Sequence, residues 1–506
     1  MRNITHLTIT KRKQEHAFLN ILCAAVLFLG YLSFFSGRFY VATFGRLGFD
    51  SVLYTLSAGL GGVQSGQITR WLLLGFLPAI LLTGISFVLF FHLPTQKGKY
   101  ENTRTSKRLS RWCSLLLSLS LTVFAAYDVE LVEYLSNQSA DTDLYEKYYK
   151  DPGQVKITFP DKKRNLIYIM LESMETSYLS KAQGGAMETD LIPELYDLAQ
   201  QNLCFSNSGA KVGGYHTTKG ATWTIGSMVA QTAGIPLKTP TEDVNQYGAA
   251  GEAFLPGVTT LTNILQEAGY AQALMVGSDV RFGGRKVYFE QHGMDEIFDL
   301  YTARNDGIIP KNYFVWWGME DLHLFRYAKE KITALSQQEQ PFAFTMLTVD
   351  THHVGGYQCE LCQDSMSGES YDQSISCSSR QVADFVKWIQ EQPFYEDTTI
   401  IIVGDHESMD NGYFQRVVGS DYQRLLYNCF INTPTTAKKA THRHFAAVDL
   451  FPTTLAAIGC KIEGERLGLG TNLFSGAKTL TEVLGFDRFN DELAKASSYY
   501  EDHFWQ

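Results

Sequence analysis

Two uninterrupted apolar runs restrict this chain more than any other feature. Phe18 to Ser36 is 19 residues and Trp71 to His92 is 22, with no charged side chain in either. A hydrocarbon layer about 30 Å thick calls for about 20 helical residues, so each run can cross a bilayer as one helix. A third run, Trp112 to Tyr127, has 16 residues and several serines, and reaches spanning length if it begins near Leu109. The expectation is three spans, at about 18–36, 71–92 and 109–127, in an anchor covering residues 1–127. No small-residue cleavage site follows the first run, which reads as an anchor and not as a removable signal.

Basic residues orient these spans. Lys11, Arg12 and Lys13 precede the first, and Lys97, Lys99, Arg104, Lys107, Arg108 and Arg111 separate the second from the third. The loop between the first two has only Arg38, Arg46 and Arg70. By the preference of Lys and Arg for the cytoplasmic side, the start and the second loop lie inside, and everything after Tyr127 lies outside the cytoplasm. The apolar, glycine-rich stretch Leu47 to Gln64 reads as a loop packed on the bilayer surface. Residues 128–159, charged and rich in tyrosine, read as a juxtamembrane linker helix.

The charge balance changes at the same boundary. Residues 1–127 hold 13 Lys and Arg against 3 Asp and Glu, which leaves 30 against 50 for the rest of the 43 and 53 in the chain. A remainder at −20 argues against a nucleic-acid partner, because phosphate neutralisation needs clustered cations.

From residue 160 onward, β-branched and apolar runs alternate with helical patterns. Strands are expected at Leu166–Leu171, Ala271–Val276, Phe342–Val349, Thr399–Val403 and Leu425–Ile431. Helices are expected at Leu191–Gln201, Thr259–Ala268, Phe314–Leu335, Ser378–Gln390 and Val448–Ile458. That alternation implies an α/β domain over residues 160–506, a mostly parallel sheet with helices on both faces. Ligands of such sheets sit outside the carboxyl ends of the strands.

Two of those ends carry chemistry. NLIYIMLES ends at Glu172, and TIIIVGDHES ends at Asp405 and His406. A carboxylate after a strand is often only a cap, and Asp-His is often only a turn. Two such ends at one sheet edge instead suit a divalent ion such as manganese, magnesium or zinc. Between them lies GGYHTTKGATWTIGSMVAQTAGIPL, which runs into a helical pattern from Ile225 to Gln231. Thr222 or Thr224 there either caps that helix or offers a metal-activated nucleophile, and spacing alone leaves both open.

Together with SDVRFGGR (Ser278–Arg285), TVDTHH (Thr348–His353), DLFPT and LGLGTNLF, these stretches resemble the membrane-anchored phosphoglycerol transferases. That group includes lipoteichoic acid synthases and glucan-modifying enzymes, and has the alkaline phosphatase and sulfatase fold. The resemblance implies one metal, manganese ahead of magnesium or zinc, held by Glu172, Thr224, Asp405 and His406. It implies Thr224 as the nucleophile, His352 as a substrate contact able to protonate a leaving oxygen, and Arg285 as a phosphate-binding residue. It implies transfer of sn-glycerol-1-phosphate from phosphatidylglycerol, through a threonine-linked intermediate, to an envelope glycan or glycerophosphate polymer. The alternatives are a phosphoethanolamine transferase or another phosphodiester hydrolase of the superfamily. Where the Gram-positive enzymes carry Trp two positions before the Arg, this chain has Gly283. No Cys is followed by the x-Pro-x-Arg pattern needed for formylglycine, which argues against sulfate ester hydrolysis.

Cys359, Cys362 and Cys377 cluster in one stretch, and outside the cytoplasm one disulfide among them is expected. His442 and His444 are read as loop histidines ahead of a place on the rim of the site, and His216 and His353 as neighbours of the site that are not ligands. The aromatic run Tyr313–Phe325 is read as a helix facing the core or lipid.

Overall fold

The computed structural model describes residues 2–46, 48–57, 65–92, 103–238, 253–364, 369–419 and 422–506. The chain divides into two compact units, with the break near residue 135. In the first, three helices are long and apolar enough to cross a membrane: Ala17–Phe44, Gly66–Phe91 and Arg108–Asp128. The third is 21 residues, because the helix runs on through Leu109 and Arg108 beyond the charge-free stretch. Small residues let the first and third approach: a Cβ placed on Gly30 would fall 2.8 Å from the Ser118 Cα. The Ser118 hydroxyl donates to the Val26 carbonyl at 2.7 Å. Trp71 Nε1 likewise donates to Ser36 Oγ at 3.0 Å, tying the second helix to the first. Close backbones and interhelical hydrogen bonds are how helices associate where no hydrophobic effect acts between them. Of the glycine-rich Leu47–Gln64 stretch, Phe49–Ser57 is helical, and residues 58–64 lie outside the described residues.

In the second unit, β1 (Ile157–Thr158) pairs antiparallel with a late strand, β9 (Lys461–Ile462). Between them lie β2 (Asn165–Leu171), β3 (Gly214–Tyr215), β4 (Ala271–Val276), β5 (Glu296–Phe298), β6 (Phe342–Leu347), β7 (Thr398–Gly404) and β8 (Leu426–Ile431). They form one seven-stranded sheet in the order β3-β8-β7-β2-β6-β4-β5. β7, β2, β6, β4 and β5 run parallel, while β8 opposes β7 and β3 opposes β8.

The apolar runs of the inner strands follow from burial on both faces. Leu166, Tyr168 and Met170 of β2 point into one core, and Ile167, Ile169 and Leu171 into another. β7 divides in the same way, with Ile401 and Val403 opposite Ile400 and Ile402. This is the two-residue period of an extended chain. The first core is covered by helices Thr224–Ala233, Leu261–Glu267 and Ala447–Ala457, the second by Pro193–Gln201, Asp321–Ser336 and Ser370–Gln390.

Three expectations are revised. β3 and β5, of two and three residues, carry too little apolar pattern to be seen in the sequence. The stretch read as one linker helix holds two, Leu131–Ser139 and Leu144–Tyr148, and the second buries Leu144 and Tyr145 in the first core. The aromatic run is helical only from Asp321. Before that, Val315 and Gly318 exchange backbone hydrogen bonds of 2.9 and 2.8 Å across a tight turn. Gly318 packs so closely that a Cβ there would meet the Gly277 carbonyl at 2.3 Å, and a continuous helix would not make that approach.

Candidate active site

Register places the site. Met170 of β2 lies beside Leu347 of β6, and Leu171 lies beside Gly404 of β7, so the three parallel strands end level. Glu172, Thr348 and Asp405 therefore leave the sheet at one edge. They are cross-linked there: the Glu172 N–H donates to Thr348 Oγ1 at 2.9 Å, and the Asp405 N–H to the Leu171 carbonyl at 3.0 Å. Gly404 is required, since a Cβ would lie 2.0 Å from the Met174 carbonyl oxygen. Ser173 adopts φ +52°, a conformation costly for a non-glycine residue. It is held by its N–H on Asp405 Oδ1 at 2.8 Å and its hydroxyl on Glu172 Oε1 at 2.9 Å.

Glu172, Asp405 and His406 are buried, and each offers a ligand atom within 4.8 Å of the other two. His406 Nε2 lies 3.5 Å from Glu172 Oε1, 3.4 Å from Asp405 Oδ2 and 3.4 Å from Thr224 Oγ1. His406 Nδ1 donates to the Glu407 carbonyl at 2.8 Å, which fixes the tautomer and turns the Nε2 lone pair into the cluster. Asp405 Oδ2 is buried without a hydrogen-bond partner. Burial and then the charge of Asp405 push the Glu172 carboxyl up to about 8. Burial opposes a charge on His406, but Asp405 and Glu172 outweigh it and raise its pKa. An unpartnered carboxylate oxygen, two crowded acids and an inward-facing imidazole nitrogen are the donor set a divalent cation satisfies, by replacing the shared protons.

Thr224 is not a cap. It is the first residue of helix Thr224–Ala233, the cap position belongs to Trp223, and no side chain caps the helix. Its hydroxyl faces His406, at a helix start where anions bind well. A polar stripe on this otherwise apolar helix fastens it to β7. Ser227 Oγ donates to the Asp405 carbonyl, Gln231 Nε2 donates to Ser227 Oγ at 2.9 Å, and Tyr168 donates to Gln231 Oε1 at 2.7 Å. Ser227 and Gln231 are supporting residues that the sequence reading missed. Their spacing three and seven positions after Thr224, in an apolar helix, was the available signal.

His352 and Arg285 stand differently from expectation. His352 Nδ1 donates to the His353 carbonyl at 2.8 Å, and burial, with His406 and Arg285 adding to it, lowers its pKa to about 3. The ring is thus neutral with Nε2 as an acceptor, whereas a proton donor was expected. It is sandwiched between Trp317, at 4.1 Å, and His353, at 4.3 Å. Trp317, missed in the sequence, sits on the turn that interrupts the aromatic run, edge-on to Phe282 at 5.8 Å. Arg285 is buried, and its guanidinium donates to Ser278 Oγ, the Asp279 carbonyl and the Phe282 carbonyl at 3.0, 2.6 and 3.1 Å. Its charge also lowers the Glu172 and His352 pKa values. His216 and His444 pair with each other, Nε2 to Nδ1 at 3.2 Å.

The chain is similar to several known proteins. Phosphoglycerol transferase I from Escherichia coli (strain SMS-3-5 / SECEC) is 30% identical over 442 residues, 86% of this chain and 54% of that protein. The enzyme of the same name from Salmonella arizonae is 30% identical over 444 residues, with the same coverage. The chain thus spans about half the length of these relatives. Among solved structures, lipoteichoic acid synthase LtaP from Listeria monocytogenes aligns with TM-score 0.48 and 16% identity, over 66% of this chain and 81% of that one. The lipooligosaccharide phosphoethanolamine transferase EptA from Neisseria meningitidis aligns with TM-score 0.49 and 13% identity, over 87% and 84%. The sulfatase family matches residues 164–460, which take in every strand of the main sheet and all the side chains described above, and the chain belongs to that family.

Proposed function

We propose that this chain is a membrane-anchored, metal-dependent phosphoglycerol transferase that moves sn-glycerol-1-phosphate from phosphatidylglycerol to an envelope glycan or glycerophosphate polymer. The observation that carries this reading is a threonine hydroxyl at a helix start, 3.4 Å from the inward imidazole nitrogen of a buried Glu-Asp-His cluster. The names of the two transferases above, and the apolar helices that would hold the domain beside a lipid donor, support it.

Glu172, Thr224, Asp405 and His406 would hold the ion, and three oxygen donors to one nitrogen favour manganese or magnesium over zinc. When bound, such an ion lowers the pKa of a coordinated hydroxyl and draws charge from phosphoryl oxygens. Thr224 Oγ1 attacks phosphorus, the bond to the diacylglycerol oxygen breaks, the threonine proton passes to that departing oxygen, and glycerophosphate is left on Thr224. An acceptor hydroxyl then displaces it. His352 Nε2, a neutral acceptor, orients that incoming hydroxyl by accepting its hydrogen bond, and the proton passes to Thr224 Oγ1 as its bond to phosphorus breaks. Arg285 keeps the pocket positive.

The test supplies the purified full chain with headgroup-labelled phosphatidylglycerol or phosphatidylethanolamine and follows diacylglycerol. Consumption of phosphatidylglycerol alone is expected. Consumption of phosphatidylethanolamine instead would assign a phosphoethanolamine transferase, and release of free glycerophosphate with acceptor present would assign a hydrolase.

A further inference from the structure

A second cluster lies away from the Glu172–Asp405–His406 site. Cys359 and Cys362 flank a tight turn in which the Cys362 N–H donates to the Cys359 carbonyl at 3.0 Å. Cys377 reaches them from the second turn of helix Ser370–Gln390. Cys359 Sγ lies 3.7 Å from both Cys362 Sγ and Cys377 Sγ, and the three sulfurs lie within 4.8 Å of one another. All three residues are buried. The expected disulfide is not formed among the described residues.

The spacing is informative. A tetrahedral centre with metal–sulfur bonds of about 2.3 Å separates its sulfurs by about 3.8 Å, and separates sulfur from an oxygen ligand by about 3.5 Å. One turn beyond Cys377, the Gln381 amide lies 3.5 Å from Cys377 Sγ and 3.9 Å from Cys359 Sγ. Turning the amide over exchanges its nitrogen for its oxygen, so either atom can occupy that vertex. The exposed neighbours Gln358 and Leu361 leave the cluster one layer below solvent.

We propose that Cys359, Cys362 and Cys377, with the Gln381 amide as fourth ligand, form a zinc site that clamps the loop after β6 to helix Ser370–Gln390. Binding would displace the three thiol protons and leave zinc on three thiolates. The clamped loop carries His352. It is otherwise held to the same helix by the Ser374 hydroxyl on the Tyr357 carbonyl at 2.9 Å and the Tyr371 hydroxyl on the Thr351 carbonyl at 2.9 Å. The site would thus help position His352 without touching substrate.

The test titrates the reduced full chain with Co²⁺, whose intense sulfur-to-metal charge-transfer band distinguishes thiolates from the oxygen and nitrogen ligands around Glu172. The wild-type chain is expected to show the band at one equivalent and lose it on addition of Zn²⁺. Cys362→Ser and Cys377→Ser should abolish it, Gln381→Ala should weaken Zn²⁺ binding at least tenfold, and Asp405→Asn should leave the band unchanged. Absence of the band from reduced wild-type chain at saturating Co²⁺ would overturn the proposal, and that reading does not depend on any variant folding. So would a disulfide between any two of the three cysteines in protein whose thiols were alkylated at lysis.

Discussion

Thr224 Oγ1 is the atom whose removal should cost most and disturb least. The side chain is half-buried and makes no cap, so Thr224→Ala should abolish diacylglycerol release while leaving the melting temperature within about 1 °C of wild type, checked by lipid assay and calorimetry on one preparation. The ligands behave differently. Glu172 and Asp405 are buried and crowded, so Glu172→Gln and Asp405→Asn should remove the bound divalent ion, measured by elemental analysis, and lose activity with it. Trp317 lies between these extremes. An aromatic stack contributes about 0.5–1.5 kcal/mol, so Trp317→Ala should slow transfer by about 2- to 10-fold and Trp317→Phe should restore most of it. No change in Trp317→Ala would remove the stack from the account.

Among elements, the level ends of β2, β6 and β7 and the helix start at Thr224 make the site one assembly. The Tyr168–Gln231–Ser227 chain joins them. Gln231→Leu would leave the buried Tyr168 hydroxyl without its acceptor and should destabilise the domain by about 1–3 kcal/mol in denaturant melts, with activity falling because Thr224 is less well fixed. Long buried strands were legible because both faces demand apolar side chains, so β2 and β7 announce themselves and stop where Glu172 and Asp405 begin. Helix Thr224–Ala233 was legible for the same reason. The register that makes those tips level was not, since parallel neighbours far apart in sequence leave no local signal. Nor was the turn at Trp316–Gly318: aromatic spacing mimicked a helix, and the close approach of Gly318 to Gly277, which decides the matter, is a long-range contact. The tautomer of His352 likewise depends on a carbonyl that only the folded loop supplies.

For the whole molecule, we extend the proposal to topology: the Lys and Arg flanking the three apolar helices would put the domain beyond residue 135 outside the cytoplasm. Protease added to the outer face of intact cells should digest the domain beyond residue 135 and spare the helices, and protection from that side would reverse the topology. Acid should weaken the fold. Burial, with His444 adding to it, lowers the His216 pKa from its ordinary 6.5 to about 4. A depressed value means the folded state disfavours the proton, so this contribution is complete above about 6.5 and is lost as pH falls toward 4, to a limit of about 3 kcal/mol. Melts of wild type and His216→Gln should converge over that window. The central claim, that Thr224 carries the headgroup during transfer from a membrane lipid, is tested most directly by reconstituting the full chain in vesicles containing headgroup-labelled phosphatidylglycerol, quenching with acid and mapping the peptides. The account predicts glycerophosphate on the peptide containing Thr224 and none in Thr224→Ala; label on another residue, or undiminished transfer by Thr224→Ala, would contradict it.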